Sequence, residues 1–321
     1  MADIDWDKIN LAVRDQILGK VEDQVFQDFV LFNRMRMRGI KKKGGRKLSV
    51  KVSVGRNTNV MSYKGHQELN RDPMNPFQEM IFDWRLYSAA INISGHERLL
   101  VEGTDLALFE MIEEEVANAK SSLAERLNED AYLDGSGGEG IESDIDGLAN
   151  IIDDGTNYVT IGGLSRATYR VLAAGYYANA GVDRPLTYKL ANRSQSAGLA
   201  GARGLPTMAL TTPDLLDKLK ETMQPHQIVS DSSKPSLGFP NVLVNQTPVF
   251  ADTYCTAGRF YWINEKVTEL ITHTKRDFLF VPFREPTGQD AAVAYIWWAG
   301  NLVCRRPAAN VQLRDLDEES I

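Results

Sequence analysis

A glycine-rich segment is the first feature of the sequence with a recognisable chemistry. Gly135, Gly137 and Gly140 have the G-x-G-x-x-G spacing of loops that bind the pyrophosphate of a dinucleotide. Such a loop works only between a strand and a following helix, whose first amide groups face the phosphates. Here the glycines follow a long helical pattern, so the spacing indicates a flexible turn and predicts no cofactor.

An acidic segment beyond the glycines resembles a calcium-binding loop in its spacing. In such a loop, oxygen ligands on alternate residues and a carboxylate at the twelfth position converge on one ion. Glu142 stands where that loop has Asp, and Asp153 stands where it has Glu. We therefore predict a solvated acidic loop without a metal. The residues that would be ligands if a metal bound are Glu142, Asp144, Asp146 and Asp153.

The remaining reactive residue types form no catalytic pattern. The four histidines are scattered, and neither a zinc-hydrolase spacing nor a nucleophile elbow nor a P-loop occurs. We therefore predict that the protein is not an enzyme. Cys255 and Cys304 lie far apart in the sequence, which indicates a reducing compartment and not a disulfide framework.

A basic stretch is the strongest electrostatic feature of the chain. Residues 34–56 contain ten Lys or Arg residues and no acidic residue. These cations would either pair with acidic protein surfaces or neutralise nucleic-acid phosphates without reading base sequence. The candidate residues are Arg34, Arg36, Arg38, Lys41, Lys42, Lys43, Arg46 and Lys47.

Composition limits the classes of protein that the chain can represent. The formal net charge is -7, which argues against a surface that binds nucleic acid on every side. The first residues lack the basic and apolar regions of a signal peptide, and no apolar run approaches the roughly 20 residues of a membrane helix. We therefore predict synthesis in a cytoplasm and no membrane partner.

Two alternating segments predict a projecting arm. Residues 48–54 alternate apolar and polar side chains, as a strand with one buried face does, and a second run extends from Met80 to Ile93. About 25 polar residues separate them, which is too many for a tight hairpin turn. We predict two strands with a mobile tip, where Tyr63, Lys64 and Arg71 lie.

The remaining patterns predict an α+β fold. A long helix begins after Thr104 and is stopped by the glycines, and residues 7–33 and 165–174 also have helical patterns. The small polar residues of 190–210 predict a loop. Residues 293–299 are apolar on both faces, which predicts a central buried strand in a sheet assembled from distant segments.

Short motifs between Asp134 and Pro307 carry a resemblance to a known family. In order and spacing they resemble the major capsid proteins of tailed double-stranded DNA bacteriophages. They cover about two thirds of the chain, and the principal ones are Asp146-Gly147-Leu148, Gly162-Gly163-Leu164-Ser165-Arg166, Gly258-Arg259-Phe260-Tyr261-Trp262-Ile263-Asn264 and Trp298-Ala299-Gly300-Asn301-Leu302-Val303-Cys304.

The resemblance implies the Hong Kong 97-type capsid fold and its division into regions. The family places a long spine helix in a peripheral domain, and its axial domain surrounds the axis where subunits meet. The implied regions are an N-terminal arm (1–40), an extended two-stranded loop (41–98), a peripheral domain (99–154 and 271–321, with the spine helix at 104–133) and an axial domain (155–270).

The resemblance also implies a function. The chain would assemble with itself into pentamers and hexamers of an icosahedral shell that packages double-stranded DNA, so that its location would be the virion. Portal, scaffold or decoration proteins would be further partners, and the basic residues would face neighbouring subunits or DNA. Some relatives join subunits through a Lys–Asn bond, a chemistry to which Lys64 and Asn301 are not assigned.

Three alternatives stay open from the sequence, and one of them, a different virion protein such as a tail-tube or decoration subunit, would need no long helix. An encapsulin-like bacterial compartment has the same fold but encloses protein cargo. A soluble enzyme with a glycine-rich cofactor loop belongs to a different class, and the long polar arm argues against it.

Overall fold

The computed structural model describes residues 29–55, 57–96, 105–136, 144–202, 204–223 and 241–318. Its helices in these ranges are α1 (Val30–Met37), α2 (Asp105–Asp130), α3 (Leu148–Ile151), α4 (Tyr188–Ala202) and α5 (Pro213–Met223). Its strands are β1 (Ile40–Lys42), β2 (Leu48–Ser53), β3 (Phe77–Phe82), β4 (Arg85–Ser94), β5 (Thr160–Ile161), β6 (Leu164–Ser165), β7 (Gly175–Tyr177), β8 (Met208–Thr211), β9 (Asn241–Val244), β10 (Thr247–Ala251), β11 (Phe260–Ile263), β12 (Thr268–His273), β13 (Leu279–Arg284), β14 (Ala291–Cys304) and β15 (Val311–Leu313).

The first sheet is built around β14, the longest strand. Its residues Trp297 and Gly300 each have two partners, so β4 lies along one edge and β13 and β12 lie along the other. The predicted central strand is confirmed. Its burial on both faces is wrong for the first half, where Tyr295 is 40% exposed while Ile296 and Trp298 are buried. The outward side chains of this half, Ala291, Val293, Tyr295 and Trp297, are partly or largely exposed.

The spine helix α2 packs on the inner face of this sheet. The predicted helix of 104–133 is observed as Asp105–Asp130, and its stripe of Ile112, Val116, Leu123 and Leu127 is buried. The same core contains Ile91 and Ile93 of β4, together with the buried Trp298. A helix of this length is stable because one apolar stripe rests on a broad apolar surface.

The second sheet has six strands in the order β7-β15-β11-β8-β10-β9. Its core contains Leu215, Leu216 and Leu219 of α5 against Trp262 of β11. Strand β15 comes from the last residues of the described chain, and it returns to pair with β11 and β7. The two sheets are therefore assembled from segments distant in sequence, and the division into an axial and a peripheral domain stays a prediction.

Two local predictions are wrong. The loop expected at 190–210 is largely the helix α4, because alanine and serine are also compatible with a helix that packs closely on a sheet. Thr187 begins it, with its side-chain oxygen accepting from the Leu190 amide at 3.3 Å. The helix expected at 165–174 is a single 3-10 turn, Arg170–Leu172. Most of the helix predicted at 7–33 lies outside the described residues, and α1 covers its end.

Among the described strands, the two arm strands β2 and β3 pair only with each other, from Leu48 opposite Phe82 to Ser53 opposite Phe77. The second alternating run is divided at Asp83 and Trp84: its first part is β3, and its second part, β4, belongs to the first sheet. We call β2, β3 and the residues between them the arm, and residues 57–75 its tip. Among the described helices, none is long and apolar enough to cross a membrane.

Candidate assembly surfaces

The arm has a buried base and an exposed tip. In β2 the side chains alternate between buried and exposed, with Leu48, Val50 and Val52 buried, and Met80 and Phe82 of β3 join them. These side chains belong to the same core as Ile161 of the small β5–β6 hairpin. In contrast, every residue from 60 to 75 is exposed. The base is therefore part of the subunit, whereas the tip projects into solvent.

The tip carries apolar side chains that the subunit does not cover. Val60 is 80% exposed, Tyr63 is 65% exposed and Leu69 is 49% exposed. Together with Met61 and Arg71 they line an open groove of about 620 Å³. Clustered exposed apolar side chains of this kind mark interaction surfaces in soluble proteins. The predicted tip residues Tyr63, Lys64 and Arg71 are all exposed here, although their role stays a prediction.

Polar contacts within the tip give it a defined shape. The Asn59 side chain donates to the Asp72 carbonyl at 2.7 Å, which joins the two sides of the tip. Near them, the Thr58 amide donates to the Met74 sulfur at 3.2 Å. Asn, Asp and Thr form such local bonds readily, because their short side chains reach nearby backbone groups.

A second uncovered surface is the outer face of the first sheet, which the sequence analysis missed. We define the outer face by Leu86 of β4, Leu279 of β13, and Tyr295 and Trp297 of β14. Leu86 and Leu279 are exposed, and the Arg276 guanidinium lies 4.6 Å from the centre of the Trp297 ring. The apolar run in β14 suggested burial on both faces, and it is consistent with a face that another molecule covers.

The first half of the basic stretch is paired within the subunit. Arg34 donates to Glu265 with its Nε at 2.6 Å from Oε1, and Arg38 lies 3.8 Å from the same carboxylate. Burial alone would raise the pKa of Glu265, but the hydrogen bond and charge of Arg34 outweigh burial and leave that pKa below its usual value. A charge pair this sheltered holds α1 against the loop after β11.

Three more of the predicted basic residues pair with Asp277 or Asp83. Lys41 lies 2.7 Å from Asp277, which Arg36 also approaches at 4.0 Å. Lys47 lies 3.2 Å from Asp83, which follows β3 at the base of the arm.

The last three predicted basic residues are placed differently. Lys42 donates to the Ser49 carbonyl at 3.2 Å, while Lys43 and Arg46 are exposed and pair with no acidic residue in the described part of the chain. The structure therefore leaves a much smaller free basic surface than the ten charges of the sequence suggested. Whether the residues face DNA or another subunit stays a prediction.

The described residues of the acidic segment do not converge on one point. Glu142 lies outside the described residues, and Asp144 lies 3.5 Å from Arg126 of α2. The Asp153 carboxylate accepts from the amides of Gly155, Asn157 and Tyr158, at 2.7, 3.3 and 3.2 Å. Because these amides surround one oxygen, Asp153 orders its own turn. Among the described residues, no group of three acidic, His or Cys side chains could hold a metal ion.

Asp146 has a different set of partners. Its Oδ2 accepts from the Asn301 side chain at 2.8 Å, and its Oδ1 lies 3.4 Å from Arg85. Burial raises the pKa of Asp146 above its usual value, although Asn301 and Arg85 oppose that rise. Asn301 is fully buried, so it does not offer a surface site for a bond to a lysine of another subunit.

The glycine-rich segment lies after α2, as the sequence indicated. Gly135 has φ +80° and turns the chain away from the end of the helix, while Gly137 and Gly140 lie outside the described residues. A Cβ at Gly135 would lie 2.9 Å from the Ile145 carbonyl oxygen, so the glycine permits a close approach of two loops. This setting is the reverse of a dinucleotide-binding loop.

Solved structures match nearly the whole chain, whereas no protein-family model and no curated protein matches the sequence. The capsid asymmetric unit of cyanophage A-1(L) has a TM-score of 0.70 and 17% identity over 90% of this chain and 93% of that chain. The holo-SrpI encapsulin complex of Synechococcus elongatus has a TM-score of 0.57 and 11% identity over 89% of each chain. Mycobacterium phage Bobi has a TM-score of 0.55 and 10% identity over 88% and 89%.

These matches define the class of fold. The chain has a mixed helix-and-sheet fold similar to that of the cyanophage capsid and encapsulin chains. The Hong Kong 97-type capsid fold expected from the sequence is confirmed.

Proposed function

We propose that the chain is the major capsid subunit of a tailed bacteriophage and assembles with itself into an icosahedral shell of pentamers and hexamers. The observation that carries this proposal is the match to the cyanophage capsid, with a TM-score of 0.70 over 90% of the chain. The shell would enclose double-stranded DNA, and its location would be the virion after synthesis in a host bacterial cytoplasm. Portal, scaffold or decoration proteins would be its other partners.

The two uncovered apolar surfaces support self-assembly. The tip exposes Val60, Tyr63 and Leu69, and the outer face exposes Leu86, Leu279 and Tyr295. A monomer gains nothing from leaving two such surfaces in water, because each fully buried Val or Leu side chain contributes about 1.5–3 kcal/mol. In a shell, every copy would bury both surfaces against neighbours. Weak contacts then add over many copies, since linked binding sites act at a high effective concentration.

An encapsulin-like compartment is the second candidate, and the match to the encapsulin complex over 89% of each chain favours it. The basic stretch is weaker evidence for a DNA-filled shell over a protein-filled one than the sequence suggested. Arg34, Lys41 and Lys47 pair with acidic residues of the same subunit, so their charges are already compensated. Among the described residues of the stretch, the exposed cations Lys43, Arg46 and Lys51 pair with no acidic residue, and they support a DNA-filled shell. We favour the phage capsid because its TM-score is the higher of the two.

Electron microscopy and sedimentation of the chain expressed alone test this function. We expect closed particles, or capsomers of five or six times the 35.8 kDa subunit mass. A chain that stays at the monomer mass across concentration and salt would overturn the proposal. If closed particles form, purification from infected or lysogenic cells separates the candidates: nuclease-protected DNA supports the capsid, and an enclosed protein cargo supports the compartment.

A further inference from the structure

The arm leaves the body of the subunit at Asp83 and Trp84, between β3 and β4, and one buried side chain lies at this junction. The Asn301 Nδ2 group donates to the Asp83 carbonyl at 3.0 Å and to Asp146 Oδ2 at 2.8 Å. Its Oδ1 accepts from the Asp146 amide at 2.9 Å. A single amide of β14 therefore joins the arm junction to the central strand and to the loop before α3.

A second contact holds the base of the arm through β3. The Ile81 amide donates to the Gly162 carbonyl at 3.0 Å, so the β5–β6 hairpin is joined to β3. Gly162 has φ +54°, and a Cβ on it would lie 2.7 Å from the Met80 Cβ and 3.2 Å from the Phe82 ring. Real Cβ contacts are essentially never this short, so only glycine permits the hairpin to approach the arm so closely.

Three further contacts surround the junction. Lys47 pairs with Asp83 at 3.2 Å, and the Trp84 indole donates to the Gly45 carbonyl at 2.9 Å. The Trp84 ring also packs edge-on against the His273 ring, with 5.4 Å between the centres. The base of the arm is thus attached to β14, to the β5–β6 hairpin and to the end of β12.

We propose that these contacts form a clamp that fixes the direction of the arm within each subunit, with Asn301 and Gly162 as its positioning residues. The clamp rests on the proposed function in one respect: the direction matters because the tip must meet a neighbour. Asn301 is fully buried, and Gly162 lies against the arm of its own subunit. Both residues would act by fixing the position of the tip before a neighbouring subunit binds it.

The length of the arm makes its direction important. The six residues of β3, at about 3.3 Å each, already place the start of the tip roughly 20 Å from the clamp. A rotation of about 10° at the base would displace that point by roughly 3.5 Å, which is close to the reach of an apolar contact, about 4.5 Å, and residues farther along the tip would move more. A small loss of geometry at the clamp therefore removes a contact at the tip.

Gly162 and Gly163 offer a matched pair of variants. Both have positive φ, +54° and +80°, so alanine strains the turn at either position. A Cβ at Gly163 meets no atom within 4 Å, whereas one at Gly162 meets the arm. A difference between Gly162→Ala and Gly163→Ala therefore reports the approach to the arm and not the strain of the turn.

The direction of the arm can be measured without assembly. Spin labels on Leu69→Cys at the tip and Ser88→Cys on β4 give a distance distribution in dissociated, full-length subunits, because both positions are exposed and the native Cys255 and Cys304 are buried. We expect one narrow distribution for the parent chain and for Gly163→Ala. We expect Gly162→Ala to shift or broaden it and to turn closed particles into irregular or open ones.

Asn301→Ala is the second variant. It removes the clamp contacts that β14 makes, so it still tests the clamp if Gly162→Ala fails to fold. The clamp is overturned if neither variant changes the tip distance while circular dichroism shows a folded subunit, or if the parent distribution is already broad. If the distances shift as expected but no variant and no parent chain forms particles, the clamp stands and the proposed function fails. The two failures are therefore distinguishable.

Discussion

The base and the tip of the arm belong to one hairpin but have opposite surroundings. At the base, alternate side chains such as Val50 and Met80 are buried in the core of the subunit. At the tip, Val60 and Tyr63 are apolar yet mostly exposed. The same kind of side chain therefore serves two purposes: at the base it stabilises one subunit, and at the tip it is available to stabilise an assembly.

Substitution at the base should have the largest effect on folding. Met80 is fully buried, so Met80→Ala should lower the free energy of unfolding by about 2–5 kcal/mol. Its neighbour Ile81 points to the opposite face and is 47% exposed, so Ile81→Ala should change that free energy by no more than about 0.5 kcal/mol. Urea denaturation of unassembled subunits compares the two variants. Equal effects would show that the base does not have one buried face.

Substitution at the tip should spare folding and weaken assembly. Val60→Ser and Leu69→Ser together remove apolar surface that only a neighbour could bury. If each contact contributes about 1–2 kcal/mol, the concentration needed for assembly should rise at least about tenfold. The urea midpoint of the subunit should not change. Light scattering at increasing concentration measures the first quantity, and an unchanged threshold would mean that the tip is not an assembly contact.

A smaller effect is expected at the Arg34–Glu265 pair, whose burial opposes the gain from the opposite charge. Because the pKa of Glu265 is lowered in the folded state, the pair stabilises the subunit fully above the unfolded value of about 4.3. That stability is lost as pH falls through the lower, folded pKa. Unfolding free energies measured from pH 6 to pH 3 should fall less steeply for Glu265→Gln than for the parent chain; identical slopes would exclude this linkage.

Local patterns predicted those elements that are stable for local reasons. The alternation of residues 48–54 gave β2, and the apolar stripe from Ile112 to Leu127 gave α2, because in both cases one face meets a core. The same patterns predicted the α+β class, whereas the capsid fold was expected from motifs that no periodicity explains.

Contacts between distant residues could not be predicted. Arg34 and its partner Glu265 are separated by 231 residues, so the basic stretch looked free in the sequence. Asn301 is an unremarkable residue of an apolar strand until the fold brings Asp83 and Asp146 to it. The outer face was missed for a related reason: an apolar strand has the same pattern whether its second face is covered by its own chain or by another molecule.

The most direct test of the central claim compares the solvent accessibility of single residues before and after assembly. Hydroxyl-radical footprinting of dissociated subunits and of purified particles reports Met61 and Tyr63 at the tip beside Met80 at the base. We predict strong protection of Met61 and Tyr63 in particles, and low reactivity of Met80 in both states. Particles in which the tip stays as reactive as in the subunit would contradict the claim that the exposed tip is an assembly contact.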